Sequence, residues 1–146
     1  MKRSLDVVPG PDGGTAVTVM RLSGELDASN YRDLIAEVQA LYDNGARRLL
    51  LDLSDVSFLS SAGLVALHSA VLIMRGQAPP DLEEGWNVFH AISNDIDGHP
   101  QPEASVRILR PQARVTRALE MSGFSRLIPN FDDEQQAIAS FGDLNT

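Results

Sequence analysis

The sequence predicts an α/β domain, and three observations carry that assignment. A Pro/Gly cluster separates two β-prone runs near the N-terminus, and apolar residues recur at helical spacing from Tyr31 onward. The third is an unbroken leucine run bounded by charges, "RRLLLDLSDVSF", which reads as a strand covered on both faces. With 146 residues, 43% of them hydrophobic, the chain is the size of a single domain with a real core.

The elements follow in order. "SLDVV" (4–8) and "TAVTVMRL" (15–22) flank "PGPDGG" and read as a β-hairpin. Tyr31, Leu34, Ile35, Val38, Leu41 and Tyr42 then lie on one stripe of a helix. Asp27 or Ser29 can cap its start, and Asn44–Gly45 can end it in a left-handed turn. Leu49 to Leu53 are expected to form the central strand, with Leu34, Ile35, Val38, Leu64, Leu67 and Val71 packing helices against the sheet. The stretch "GLVALHSAVLIM" (63–74) is shorter than the ~20 residues of a membrane helix and carries His68 and Ser69, so it reads as a buried helix. Beyond it, "VRILRP" is a short strand stopped by Pro111 and "RVTRALEMSGF" a helix with Gly123 at its end. "RLIP" (126–129) reads as a strand stub, and "DDEQQAIASF" as a last helix opening with acids.

Charge and composition exclude several classes of function. Twenty acidic against twelve basic residues give a net charge of -8, which argues against nucleic-acid partners and anionic lipid. No stretch is suited to membrane insertion. The absence of cysteine excludes disulfides, thiolate chemistry and Cys-based metal sites and suits a reducing compartment. "MKRSLDVVPG" is followed by no apolar core of signal-peptide length, so a cytoplasmic location is expected. His68, His90 and His99 have no spacing suited to a shared metal, and no cofactor is expected. "SNDIDG" (93–98) opens like a calcium loop, but Ser93 and Ala104 occupy its first and twelfth positions, so it reads as a polar turn. A serine-hydrolase elbow fails at Leu59, where its first glycine belongs, and the chain is not expected to be an enzyme.

Arg75 to Ala104 stands apart as an insertion between the second helix and the next strand. It holds four of the eight prolines and the single tryptophan. Within it Trp86, Phe89 and Ile92 have roughly helical spacing, suited to docking on the domain body or forming a homodimer; the other reading is a loop tethered by one aromatic.

Three motifs, "RLSGELDASN", "LLLDLSDVSFLSSAGL" and "ALEMSGFSRLIPNFDDEQQAI", occur in an order that resembles the STAS domain of bacterial anti-sigma factor antagonists. The resemblance implies a four- or five-stranded mixed sheet with about four helices, mainly on one face. It also implies a partner that is both anti-sigma factor and serine kinase, and a phosphorylated Ser or Thr at the start of the second helix. That position falls on Ser61, with Gly63 two residues later; many family members have Asp before the acceptor, where this chain has Ser60.

Read from the residues alone, either hydroxyl is a good helix N-cap, worth about 1 kcal/mol. The same spot tolerates a phosphate, because free backbone N–H groups and the helix dipole face it. Ala62 and Gly63 are small enough to allow close approach of a partner surface. Gly24, Glu25 and Asp27 lie in "GELD", whose acids are either caps or part of that surface, and Phe58 precedes the serines. The expected partner-binding set is thus Gly24, Glu25, Asp27, Phe58, Ser60, Ser61, Ala62 and Gly63, with Ser61, or alternatively Ser60, as phosphoacceptor. The competing function is an unphosphorylated STAS interaction module in a transporter-associated or scaffold complex.

Overall fold

Eleven residues, Leu49–Leu59, form strand β3, and the first five of them are buried whichever way they point. The computed structural model describes residues 1–11, 13–77, 95 and 105–141. Around β3 a five-stranded sheet is ordered β1-β2-β3-β4-β5, with β1 Lys2–Val8, β2 Val17–Leu26, β4 Val106–Leu109 and β5 Asn130–Phe131. The first two strands are the expected antiparallel hairpin, while β2, β3, β4 and β5 run parallel, so the sheet is mixed. Leu49 to Leu53 lie at its centre, as the leucine run requires.

Helices α1 (Tyr31–Asp43), α2 (Ser61–Met74), α3 (Ala113–Ser122) and the single turn α4 (Phe124–Leu127) share one face. Their core unites Met20, Leu22, Leu49, Leu51 and Leu53 with Leu34, Val38, Leu64, Leu67, Val71, Val115 and Leu119. Helix α2 is apolar nearly all round, hence buried nearly all round, with His68 only 5% exposed. Helix α5 (Glu134–Ser140) covers the opposite face, where Ala137 and Phe141 pack on Val17, Val19, Leu50 and Leu109. Its start behaves as its acids suggest, since Asp133 caps it by accepting from the Gln136 N–H at 3.1 Å.

Two local expectations are corrected. Neither Asp27 nor Ser29 caps α1; the residue before the helix is Asn30, which offers it no side-chain cap bond. The Asp27 carboxylate turns to the Ser29 N–H and hydroxyl instead, closing an Asx turn ahead of the helix. "RLIP" is not a strand, because Arg126 and Leu127 complete a helical turn after the left-handed Gly123. Pairing begins only past Pro129, at Asn130, opposite Ile108.

The second face is held by charged groups as well as apolar ones. Arg21 on β2 donates through Nη1 to Glu134 Oε1 at 2.7 Å and to Asp52 Oδ2 at 2.9 Å, and through Nε to Asp6 Oδ2 at 3.3 Å. One guanidinium therefore joins β1, β2, β3 and α5, and these bonds raise its pKa further, Glu134 contributing most. Burial acts against ionisation of Asp52. Hydrogen bonds from the Ser54 hydroxyl and N–H and from Arg21 outweigh it and hold the carboxyl below the usual range. Arg107 is buried at 1% exposure, with its guanidinium 4.9 Å over the Phe141 ring and Nε donating to Ser140 Oγ at 2.9 Å.

Two outcomes are expected. Leu51→Asp places an unpaired charge at a site 1% exposed and should abolish the cooperative thermal transition; an unchanged melt would remove β3 from the centre. Because the folded-state pKa of Asp52 is depressed, its contribution is full above the unfolded carboxylate value and lost as pH falls through the folded one. Asp52→Asn should thus lower the melting temperature at about pH 7, with the gap from wild type narrowing towards about pH 3. An equal gap at both pH values would show that the network does not depend on that charge.

Candidate functional site

Parallel pairing brings the carboxyl ends of β2 and β3 side by side, with Glu25 opposite Phe58 and Leu26 opposite Leu59. The Ser60 N–H continues the ladder by donating to the Leu26 carbonyl at 3.0 Å, and the chain then turns into α2. Ser60 has extended backbone angles (φ -88, ψ 177), and its Oγ accepts from the Gly63 N–H at 3.2 Å. It is the N-cap. Ser61 is the first residue inside the helix; it is exposed, and its hydroxyl has no hydrogen-bond partner among the described residues. The two adjacent hydroxyls therefore occupy different environments: one half-buried and bonded, the other open to solvent.

Gly63 belongs to the interior. A Cβ there would lie 2.5 Å from Leu59 Cδ1 and 2.6 Å from the Leu26 carbonyl oxygen. Its lack of a side chain serves the packing of α2 on its own sheet, and the small residue left nearer the surface is the half-buried Ala62. Phe58 is 39% exposed, an uncommon state for a phenylalanine and one that leaves much of its ring for contact. Gly24, at φ +97, sits at the end of β2 where the register slips, and Glu25 beside it is exposed.

Asp27 completes this rim. Its Oδ1 accepts from the Ser29 hydroxyl at 2.5 Å and the Ser29 N–H at 2.9 Å, and these bonds hold the carboxyl below its ordinary value. Asn30 secures the turn by donating to the Glu25 carbonyl at 2.7 Å and accepting from the Asp27 N–H at 3.0 Å. The fold thus gathers Gly24, Glu25, Asp27, Phe58, Ser60, Ser61 and Ala62 on one rim, with Gly63 beneath it.

A second cluster lies further along α2. His68 Nε2 is 2.6 Å from Asp95 Oδ2, Arg75 Nη1 donates to Asp95 Oδ1 at 2.8 Å, and all three side chains are largely buried. Burial works against the Asp95 charge, but the bonds from Arg75 and His68 prevail and keep the carboxyl below its ordinary range. His68 finds a hydrogen bond, as expected of a buried histidine. Its acid came without warning, since Asp95 is one of several acids in a Pro-rich stretch with no period to mark it. Trp86, Phe89, Ile92, His90, His99 and the rest of "SNDIDG" lie outside the described residues. Among the described residues no group of His, Asp and Glu could hold a metal ion.

The family model described as "Mlab, STAS domain" matches residues 11–78, which run from the hairpin turn through α2 and include the whole rim. BtrV of Bordetella bronchiseptica, named as a candidate anti-sigma factor antagonist, is 28% identical over 141 residues, covering 97% of this chain and 95% of its own. Solved structures share the fold. An anti-sigma factor antagonist from Mycobacterium paratuberculosis aligns with TM-score 0.63 and 20% identity over 97% of this chain and 96% of its own. The anti-sigma factor antagonist SpoIIAA in its unphosphorylated form gives 0.59 and 17% over 99% and 100%. The Bacillus cell fate determinant SpoIIAA in its phosphorylated form gives 0.55 and 17% over 95% and 98%.

The close approach at Gly63 makes a quantitative expectation. Gly63→Ala forces a methyl against backbone oxygen and should destabilise the domain by about 1–3 kcal/mol in urea unfolding, whereas Ala62→Ser should change little. A neutral Gly63→Ala would mean that the first turn of α2 can move away from Leu26.

Proposed function

We propose that this chain, whose residues 11–78 match a STAS-domain family model, acts as an anti-sigma factor antagonist. In this reading it binds an anti-sigma factor that is also a serine kinase, and phosphorylation of Ser61 ends the association. The observation that carries the reading is the division of labour at the start of α2: Ser60 already caps the helix, and Ser61 projects from its first turn with an exposed hydroxyl that has no partner among the described residues. A kinase can take Ser61 without removing the cap.

The energetics support a switch rather than an unfolding. A phosphate of about -1.5 to -2 charge at the first turn is tolerated by the helix dipole and the N–H groups there. Against a docked partner the same charge must be buried, and an unpaired buried charge costs several kcal/mol, more than the ~1 kcal/mol that the dipole returns. Phe58 offers the rim an apolar contact, and Glu25 and Asp27 add like charge beside the new phosphate. No helix among the described residues is long and apolar enough to cross a membrane. The proposed site of action is the cytoplasm.

Substitution separates the two hydroxyls. Ser61→Asp should weaken partner binding at least about tenfold by calorimetry while leaving the melt intact, since a carboxylate suits a helix N-terminus. Ser61→Ala should bind and resist modification. Ser60→Ala should lose about 1 kcal/mol of stability and still take up phosphate, detected by mass spectrometry of protein recovered from its native cytoplasm. Phosphate on neither serine, with both alanine variants binding alike, would favour the unphosphorylated interaction module; phosphate on Ser60 alone would move the switch by one residue.

A further inference from the structure

Four arginines beyond β4 have side chains that make no hydrogen bond or ion pair among the described residues. Arg110, Arg114, Arg117 and Arg126 are exposed, and none has a carboxylate partner among the described residues, although the chain carries twenty acidic residues. Elsewhere the arginines are engaged: Arg3 with Glu37, Arg21 with three carboxylates, Arg75 with Asp95. From Arg110 to Arg126 the sole acid is Glu120. A chain of net charge -8 thus concentrates cations on one segment.

The helix arranges three side chains of this segment together. Val115 and Leu119 of α3 are buried in the core, so Arg114, Arg117 and Met121, spaced three and four residues apart, share the outward face. Met121 is 79% exposed, more than any other large hydrophobic residue described. Stability alone would not choose this arrangement. Helix α3 has no acid in its first turn; it has Arg114 there, at the positive end of its dipole. Gln112, in the N-cap position, makes no cap bond and instead donates to the Ser54 carbonyl at 2.8 Å. Arg110 holds a φ of +48, a left-handed conformation uncommon for a long side chain. A first-turn arginine in place of an acid and a solvent-facing methionine beside it gain nothing from any contact among the described residues, and together they point to an external partner.

We propose that the outward face of α3, Arg114, Arg117 and Met121 with Arg110 at its entrance, docks an acidic protein segment that places an apolar residue on Met121. Guanidinium groups bind carboxylates through two parallel hydrogen bonds, and the flexible thioether adapts to irregular apolar surfaces. Arginine and methionine are both enriched at protein interfaces. A short acidic segment can contact the stripe alone, whereas duplex nucleic acid or an anionic bilayer would also meet the remainder of a strongly acidic surface. This face does not depend on the Ser61 reading.

The test uses the full chain and a short fluorescent peptide of glutamates around a central leucine pair, with its glutamine analogue as control. Anisotropy should show tighter binding of the glutamate peptide, weakening as salt is raised. The double variant Arg114→Glu with Arg117→Glu should lose at least about tenfold in affinity with an unchanged circular dichroism spectrum, because acids suit the start of α3. Met121→Ala should lose a few-fold, roughly as one truncated interface contact does. Arg126→Gln, off the stripe, should bind like wild type. Equal binding of the glutamine analogue, or no loss in the double variant, would overturn the proposal. So would tighter binding to phosphatidylglycerol vesicles or duplex DNA, or a concentration-dependent self-association abolished by the same substitutions, each of which names a different occupant.

Discussion

Burial of β3 on both faces is the constraint from which the architecture follows. Leu49, Leu51 and Leu53 point to one side and Leu50 and Asp52 to the other, and all five are screened from water. A strand of that kind needs a layer on each side of the sheet. Helices α1 to α4 supply the thick layer, and α5 the thin one through Ala137 and Phe141. The thin layer has too little apolar area to close that face, and charge completes it: Arg21 spans β1, β3 and α5, while Arg107 lies between Phe141 and the sheet. Asp52 can be buried because Arg21 and Ser54 satisfy both its oxygens.

The rim at the top of the sheet inherits its precision from that core. The Leu26 carbonyl accepts the Ser60 N–H and also lies so close to Gly63 that no side chain fits between them. One backbone oxygen thereby sets where α2 begins. Once the start is set, Ser60 falls at the cap and Ser61 one residue in, turned to solvent. A difference in environment between two identical side chains thus arises from the docking of a helix on a strand pair, not from the chemistry of serine.

Most elements were legible because their signals are local. The leucine run announced a central strand, the Pro/Gly cluster a hairpin, and the stripe of Leu34 and Val38 a helix with an apolar face. Where reading failed, two local rules competed. Asp27 is as good a cap by type as Asn30 is by position, yet its carboxylate finds the Ser29 amide first. "RLIP" has the composition of a strand, but the left-handed turn at Gly123 leads its first residues into a helical turn.

By itself the sequence determined the α/β class, the order of strands and helices apart from the turn α4, the buried character of α2, and the pair of serines at its start. Those follow from periodicity, turn chemistry and capping, which act over a few residues. Only the tertiary structure decided which serine is the cap, that Gly63 faces inward, that Arg21 serves three carboxylates, that His68 meets Asp95, and that Arg114, Arg117 and Met121 share an outward face. Each depends on groups brought together across the fold or on which side of a helix the core claims, and neither is encoded in any short stretch of chain.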